Sequence, residues 1–198
     1  ELSAKHSKII TLEDPVEMTI DNVNQIEVKP ELGYGYVEGL KSAFRQDPNV
    51  LLVGEIRDDE PARMVVRASN SGLKVMTSLH AQTCVSTLIR MIDFGIDPAY
   101  LAGSVSLILN QRLVHTLCEH CAKSYEPTDA ELKFLHDKGV NYPDSAISSR
   151  DSSGCQWCEN IGFLGRLAVI ESLVMTDDLK RVLLTSNFTR DKKSELIN

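Results

Sequence analysis

Short apolar segments alternate with amphipathic segments along the first half of the chain, and this alternation restricts the possible folds more than any other feature. Residues 50–53 are apolar at every position, which is typical of a strand buried on both faces of a sheet. Further strands are predicted at residues 8–12, 25–29 and 74–79. Helices are predicted where apolar side chains recur every three or four positions, at residues 36–46, 62–72, 85–95 and 97–109. Strand and helix in alternation with short loops indicate an α/β fold, a parallel sheet flanked by helices.

Four of the five cysteines form two pairs with the same two-residue spacing. The pairs are Cys118 with Cys121 and Cys155 with Cys158. This spacing lets both thiolates of a pair face one tetrahedral Zn²⁺, and two pairs complete a closed, structural four-sulfur site. Disulfides or a redox Cys-x-x-Cys motif are the alternatives, and His120 is a weaker alternative ligand. The remaining Cys84 is expected to be a small packed side chain.

The composition changes near residue 116. From there to about residue 161 the chain is polar, rich in Ser, Asp and Pro, and too poor in apolar residues to form its own core. We therefore expect three segments: a core at 1–115, a small zinc-bearing subdomain at 116–161, and a strand with helices returning to the core at 162–198. In the subdomain, Thr128 and Glu131 have the spacing of a capping box. The charged tail at 190–198 is expected to fray.

The charge balance and the apolar runs exclude some classes of protein. The chain has 28 acidic and 21 basic side chains, a formal net charge of −7, which disfavours a dedicated nucleic-acid binder. No apolar run is long enough to span a bilayer, and neither a secretory signal nor a lipidation motif is recognised. Because the sequence does not begin with Met, we expect it to be a piece of a longer protein.

Polar side chains follow three of the predicted strands, where open parallel sheets gather their function. Glu13 follows the first strand, Glu55 and Arg57 follow residues 50–53, and His80 follows residues 74–79. Two carboxylates suit water activation and Mg²⁺ placement, and a histidine with arginines suits phosphate sensing. Each element also has a structural interpretation: a turn at Asp14, acidic groups at a helix start, a packed histidine. Periodicity alone therefore indicates a metal- or nucleotide-dependent α/β domain.

Several stretches carry a resemblance to a known family. Residues 10–17, ITLEDPVE, resemble the acidic box of the type II secretion and type IV pilus assembly ATPases. Residues 44–58, FRQDPNVLLVGEIRD, resemble the Walker B region of that family, and residues 72–90, GLKVMTSLHAQTCVSTLIR, resemble its histidine box. The segments QRLVHTLCEHC and CQWCENIGFLGR resemble its tetracysteine insertion and the strand that follows. The paired cysteines resemble the assembly and secretion branch rather than the retraction ATPases.

This resemblance implies a fold, an oligomeric ATPase and its ligands. The fold would be a RecA-like P-loop NTPase core with a tetracysteine zinc-binding subdomain. The full-length protein would be a homo-hexameric ATPase in the cytoplasm, peripheral at the inner face of the cytoplasmic membrane and without a transmembrane segment. It would use ATP and Mg²⁺, carry a structural Zn²⁺, and drive type II secretion pseudopilus or type IV pilus assembly. Its partners would be an inner-membrane platform protein and other assembly components, with no direct contact to nucleic acid.

The resemblance also implies roles for individual residues. Glu13 matches the glutamate that activates the attacking water, Glu55 the Walker B glutamate that holds Mg²⁺ through water, and His80 the histidine that links the γ-phosphate to subunit movement. Phosphate or interface contacts would come from Arg45, Arg57 and Arg90. The zinc ligands would be Cys118, Cys121, Cys155 and Cys158.

One expected element is missing. The family's glycine-rich phosphate-binding loop precedes the acidic box, and no such loop occurs in this sequence. The chain alone is therefore expected to bind ATP poorly and to turn over almost none. Two alternatives remain: a non-enzymatic zinc-bearing docking module for an inner-membrane platform protein, and a zinc-ribbon nucleic-acid protein. The acidic charge balance disfavours the second of these.

Overall fold

The computed structural model describes residues 7–140 and 147–185 of the chain. The described part divides into two compact units. The first contains the residues up to Asn110 together with those from Glu171 onward, and the second contains Gln111–Ile170. The tail at 190–198 lies outside the described residues. Among the residues described, no helix has the length and the apolar character needed to cross a membrane.

A four-stranded, fully parallel sheet forms the centre of the first unit. Its strands are β1 (Ile9–Glu13), β2 (Asn24–Glu27), β3 (Val50–Val53) and β4 (Lys74–Thr77), in the spatial order β2-β1-β3-β4. Leu12 is in register with Val53, and Val53 with Thr77. Because the strands are parallel and in register, their carboxyl ends meet at one edge of the sheet. The predicted α/β class is confirmed.

Two helices of the first unit connect strands of the sheet, and three more follow the sheet in the chain. They are α1 (Tyr36–Phe44), α2 (Asp59–Asn70), α3 (Cys84–Asp93), α4 (Pro98–Ser104) and, after the second unit, the last described helix, which we label α6 (Asp177–Leu184). The main apolar cluster lies between sheet and helices. Its fully buried members include Ile10, Leu12, Leu40, Leu51, Val53 and Ala62. Strand β3 is apolar at every position, and Ile10 and Leu12 of β1 are buried in the same cluster.

The prediction of a helix through residue 109 is wrong. Helix α4 ends at Ser104, and residues Leu107–Leu117 form strand β5, which pairs with β8 (Phe163–Val174). Val105 already has extended backbone angles, φ −82° and ψ 129°. The backbone N–H of Met175 donates to the carbonyl of Ser106 at 3.0 Å, so strand-type pairing takes over at this point. Leu107, Ile108 and Leu109 suit either structure by their apolar character, and the partner strand decides.

Within its described residues, the second unit contains a small antiparallel sheet and one α-helix. Strand β6 (Lys123–Tyr125) pairs with β7 (Ile147–Ser149), and helix α5 covers Asp129–Asp137. The capping box predicted for this helix is present: the Thr128 N–H donates to Glu131 Oε2 at 2.8 Å, and the Glu131 N–H donates to Thr128 Oγ1 at 3.4 Å.

Candidate functional site

A carboxylate, an imidazole and a guanidinium meet where strands β3 and β4 end. Nε2 of His80 lies 3.3 Å from Oε2 of Glu55, and Arg57 donates a hydrogen bond to Oε1 of the same carboxylate. Only 15% of the Glu55 side chain is exposed, against 87% of His80. The Glu55 carboxylate is therefore largely enclosed, while the imidazole of His80 is exposed to solvent. Both lie at the edge of the sheet where ligands of parallel α/β proteins bind.

Two hydrogen bonds join the segments that follow β3 and β4. The N–H of Ile56 donates to the carbonyl of Ser78 at 3.0 Å, and Ser78 Oγ donates to the carbonyl of Gly54 at 2.5 Å. Both contacts continue the register of Val53 with Thr77 beyond the ends of the strands. The segment after β3 thus runs beside the segment after β4.

The charges around Glu55 keep it ionised. The hydrogen bond from Arg57 lowers the pKa of Glu55, and the charges of Arg57 and His80 lower it further, while partial burial opposes them. A carboxylate with a lowered pKa is an anion throughout the neutral range. It can therefore accept hydrogen bonds from water bound to a cation, or face the cation directly.

A side chain at position 54 would be crowded, because three chain segments converge there. The N–H of Gly54 donates to the carbonyl of Leu12 at 2.7 Å. A Cβ at Gly54 would lie 3.1 Å from that oxygen and 3.2 Å from the hydroxyl of Tyr36. Burial and the negative charges of Glu55 and Asp14 raise the pKa of Tyr36. The sequence analysis did not select Tyr36 as a candidate site residue. Its position at the start of a predicted helix was the feature of the sequence that could have pointed to it.

Glu13 is the last residue of β1 and lies on the strand next to β3. Its Oε1 accepts hydrogen bonds from Thr11 Oγ1 at 2.5 Å and from Gln25 Nε2 at 2.9 Å. Sequence reasoning also missed Gln25, because only the pairing of β2 with β1 brings it to Glu13. Glu13 thus ends strand β1, and Glu55 follows the neighbouring strand β3 at the same edge of the sheet.

The other two arginines selected from the sequence lie elsewhere in the first unit. Arg45 is exposed and directly follows α1, before β3 begins. Arg90 is in the last turn of α3, with its guanidinium carbon 5.3 Å from the centre of the Phe94 ring. In residues 7–140 and 147–185, no hydrogen bond or ion pair connects either arginine to the carboxylates described above.

The four paired cysteines of the second unit lie together in the arrangement of a metal site. Their Sγ atoms all lie within 4.8 Å of one another. Three of the sulfur–sulfur distances are 3.8 Å: Cys118 to Cys155, Cys121 to Cys158, and Cys155 to Cys158. A tetrahedron with Zn–S bonds of about 2.3 Å has sulfur separations of about 3.8 Å. A disulfide bond is about 2.0 Å long, and all five cysteines are free thiols. The cluster formed by Cys118, Cys121, Cys155 and Cys158 therefore fits a zinc ion and could hold one.

Hydrogen bonds to sulfur favour ionisation of one thiol of this cluster, that of Cys158. Burial works against ionisation of Cys158, but the N–H groups of Cys155 and Gly162, at 3.2 and 3.1 Å, lower its pKa to about 6. Burial and the neighbouring thiols raise the pKa of Cys121 to about 12. Several thiolates so close together repel one another, and a divalent cation at their centre relieves that repulsion.

His120 and Cys84 both lie outside the sulfur cluster. His120 stacks on Trp157, with the ring centres 4.7 Å apart and the ring planes at 21°, so it is not part of the sulfur cluster. Cys84 is fully buried in the first unit, as predicted, with its Sγ 3.4 Å from the carbonyl of Glu171.

Known proteins resemble this chain in sequence over most of its length. The type II secretion system ATPase E of Vibrio cholerae is 38% identical over 183 residues, which cover 92% of this chain and 36% of that protein. The type IV pilus assembly ATPase PilB of Pseudomonas aeruginosa is 37% identical over 186 residues, which cover 92% of this chain and 32% of that protein. The chain thus spans about a third of the length of these curated relatives.

Solved structures show the same fold. The pilus retraction motor PilT with bound ADP superposes with a TM-score of 0.63 at 22% identity, over 96% of this chain and 43% of that chain. The Yersinia pseudotuberculosis ATPase DotB superposes with a TM-score of 0.62 at 21% identity, over 96% of this chain and 40% of that chain. The core is therefore a partial RecA-like fold. A family profile described as "Type II/IV secretion system protein" matches residues 1–196, and the chain belongs to that family.

Proposed function

We propose that this chain is the part of a secretion or pilus-assembly ATPase that carries the water-activating, metal-holding and histidine-box residues. The observation that supports this most directly is the contact of His80 with Glu55 at the carboxyl edge of a parallel sheet. The names of the relatives, ATPase E and the assembly ATPase PilB, support the same activity. The full-length protein hydrolyses ATP, and the hydrolysis drives assembly of a type II secretion pseudopilus or a type IV pilus.

Each site residue has a proposed role. Glu13 would accept a proton from the attacking water, and Glu55 would hold Mg²⁺ through water. When bound, Mg²⁺ neutralises part of the phosphate charge. His80 is exposed beside Glu55. It contacts the γ-phosphate and couples the loss of that phosphate to movement of the subunit.

The three arginines and the four paired cysteines also have proposed roles. Arg57 reaches a phosphate when it leaves Glu55, whereas Arg45 and Arg90 lie away from that carboxylate and contact a neighbouring subunit or its nucleotide. In the second unit, Zn²⁺ would be held by Cys118, Cys121, Cys155 and Cys158. Its closed coordination gives this ion a structural role.

We propose the following organisation for the whole protein. Residues 1–115 and 162–198 belong to the ATPase core, and residues 116–161 form the zinc subdomain. The full-length protein is a hexamer in the cytoplasm at the inner face of the membrane, where it moves a platform protein. The phosphate-binding loop would come from sequence upstream of residue 1, because this chain contains none.

The test is Mg-ATP hydrolysis by the protein extended upstream to its natural start. Glu13→Gln should abolish turnover, and Glu31→Gln, a change of an exposed glutamate, should leave it unchanged. Loss of turnover in both variants would remove the assignment of Glu13. If the extended protein forms rings but hydrolyses no ATP, the docking-module alternative replaces the motor.

A second measurement concerns the chain of 198 residues by itself. Without a phosphate-binding loop it should hydrolyse ATP no faster than its own Glu55→Gln variant. Turnover above that variant would show that the phosphates are held in another way.

A further inference from the structure

We propose that Thr11 and Gln25 are positioning residues, which hold one oxygen of the Glu13 carboxylate so that the other faces the attacking water. This inference rests on the proposed role of Glu13 as the water-activating base. Neither residue is expected to touch the nucleotide. Both act through Glu13, to which the geometry of strands β1 and β2 brings them.

Strand β1 presents different chemistry on its two faces. Side chains alternate along a strand, so Ile10 and Leu12 share one face and Thr11 and Glu13 share the other. Ile10 and Leu12 are fully buried in the core. Thr11 is only 5% exposed and is a polar residue between the apolar Ile10 and Leu12. A buried hydroxyl needs a hydrogen-bond partner, and Thr11 Oγ1 donates to Oε1 of Glu13 at 2.5 Å.

Strand β2 supplies the second contact through its register. Gln25 is the direct neighbour of Thr11 in the parallel pair, so its side chain emerges beside that of Thr11. The longer glutamine side chain reaches along the strand, and its Nε2 donates to Oε1 of Glu13 at 2.9 Å. A hydrogen bond to a charged acceptor is about twice as strong as one between neutral groups, so both contacts resist rotation of the carboxylate.

The loop between β1 and β2 fixes which end of the Gln25 amide faces Glu13. The N–H of Ile20 donates to Gln25 Oε1 at 2.7 Å, so the oxygen of the amide points to the loop. The Nε2 atom also donates to the carbonyl of Met18 at 3.0 Å. Both amide hydrogens are therefore used, one on Met18 and one on Glu13. The amide cannot flip without losing all three contacts.

The contacts from Thr11 and Gln25 both end on the same oxygen of Glu13. In the part of the chain that the structure describes, Oε2 of Glu13 accepts no hydrogen bond, whereas Oε1 accepts two. The neighbouring acid Glu27 is occupied elsewhere, with Oε1 3.3 Å from Lys29 Nζ. Oε2 is thus the oxygen available to a water molecule. A base anchored through one oxygen keeps a fixed direction toward the proton that it accepts.

The first experiment measures steady-state ATP hydrolysis by the full-length protein. Gln25→Leu and Thr11→Val should each lower kcat between about tenfold and a hundredfold, the size of effect that a small misplacement of a reacting group produces. The KM for ATP should change less than about twofold, because neither residue binds the nucleotide. Thr11→Ser keeps the hydroxyl and should restore most of kcat. The control Asn24→Ala changes an exposed residue on the same strand and should be neutral.

A double-mutant cycle separates positioning from a general structural effect. If Thr11 and Gln25 act through Glu13, then Gln25→Leu should cause little further loss in a Glu13→Gln protein. A loss as large as in the wild-type background would overturn the proposal, and so would an unchanged kcat in both single variants.

A nuclear magnetic resonance measurement tests the contacts without reference to activity. The two side-chain amide protons of Gln25 should exchange slowly with solvent, and Glu13→Ala should speed the exchange of only the one that faces Glu13. Fast exchange of both in the wild type would overturn the positioning contacts even if Glu13 proves essential. Conversely, full turnover in Glu13→Gln would overturn the proposed function of Glu13, whatever the exchange shows about Gln25.

Discussion

Nε2 of His80 lies 3.3 Å from Oε2 of Glu55, and the two side chains differ sharply in exposure, 87% against 15%. The glutamate is held by the strand exits that surround it, while the histidine projects outward. A ligand arriving from solvent therefore meets the imidazole first. This pairing joins an exposed imidazole to a carboxylate with a lowered pKa.

Removal of Arg57 should raise the pKa of Glu55. The hydrogen bond from Arg57 is the largest cause of the lowered value, so Arg57→Ala should have a larger effect than His80→Ala. The measurement is a ¹³C titration of the Glu55 carboxyl group followed by nuclear magnetic resonance. Lys29→Ala, which removes the partner of Glu27, is the control and should leave Glu55 unchanged. A larger shift in the histidine variant would contradict this order.

The same lowered pKa predicts a dependence of stability on pH. A carboxyl group whose folded pKa lies below its unfolded value stabilises the protein above the unfolded pKa, near 4.5. That contribution is lost as the pH falls through the folded value. The wild type should therefore lose more stability than Arg57→Ala between pH 5 and the acid limit, as measured by urea unfolding. Parallel curves for the two proteins would argue against the contribution.

Zinc should be present at about one ion per chain, and its removal should loosen the second unit first. Metal analysis should show loss of the ion in Cys121→Ser, whereas the buried but separate Cys84→Ser should keep it. Chelation should increase protease cleavage within residues 111–170. Trp157 is the only tryptophan and stacks beside the cluster, so its fluorescence should change at the same chelator concentration. Unchanged cleavage and fluorescence would show that the ion is not structural.

A side chain at position 54 should destabilise the first unit. In Gly54→Ala the new Cβ would lie 3.1 Å from the carbonyl of Leu12 and 3.2 Å from the Tyr36 hydroxyl. Overpacking of this kind costs typically about 1–3 kcal/mol, which urea unfolding can detect. Gly35→Ala is the matched control, since its Cβ would meet only Glu38 at an ordinary 3.6 Å. Equal losses in both variants would show that crowding at the strand ends is not the cause.

Helix α5 should depend on its cap. Thr128→Ala removes the hydroxyl that accepts the N–H of Glu131, and such losses cost about 1 kcal/mol. Hydrogen exchange should accelerate in α5 and remain unchanged in α1. Ser148→Ala, at an exposed position on β7, should accelerate neither. Faster exchange in both helices would indicate a global loss of stability instead.

The local features of the fold could be predicted from the sequence because they depend on neighbours in the chain. The apolar run Val50–Val53 is a buried strand with the predicted bounds, and the Thr128–Glu131 spacing forms the predicted cap. Where two structures suit the same residues, local reasoning failed: Leu107–Leu109 joined a strand instead of a helix. The choice there depended on a partner more than fifty residues away in β8.

The sequence by itself determined the order of the elements, the paired cysteines and the acidic residues at the strand ends. These features depend only on periodicity and on spacing along the chain. Only the tertiary structure decided that Gln25 reaches Glu13, that Arg57 binds Glu55, and that His120 stacks on Trp157. Those contacts depend on strand register and on the directions in which side chains leave the backbone. The sequence encodes both only through the packing of the whole unit.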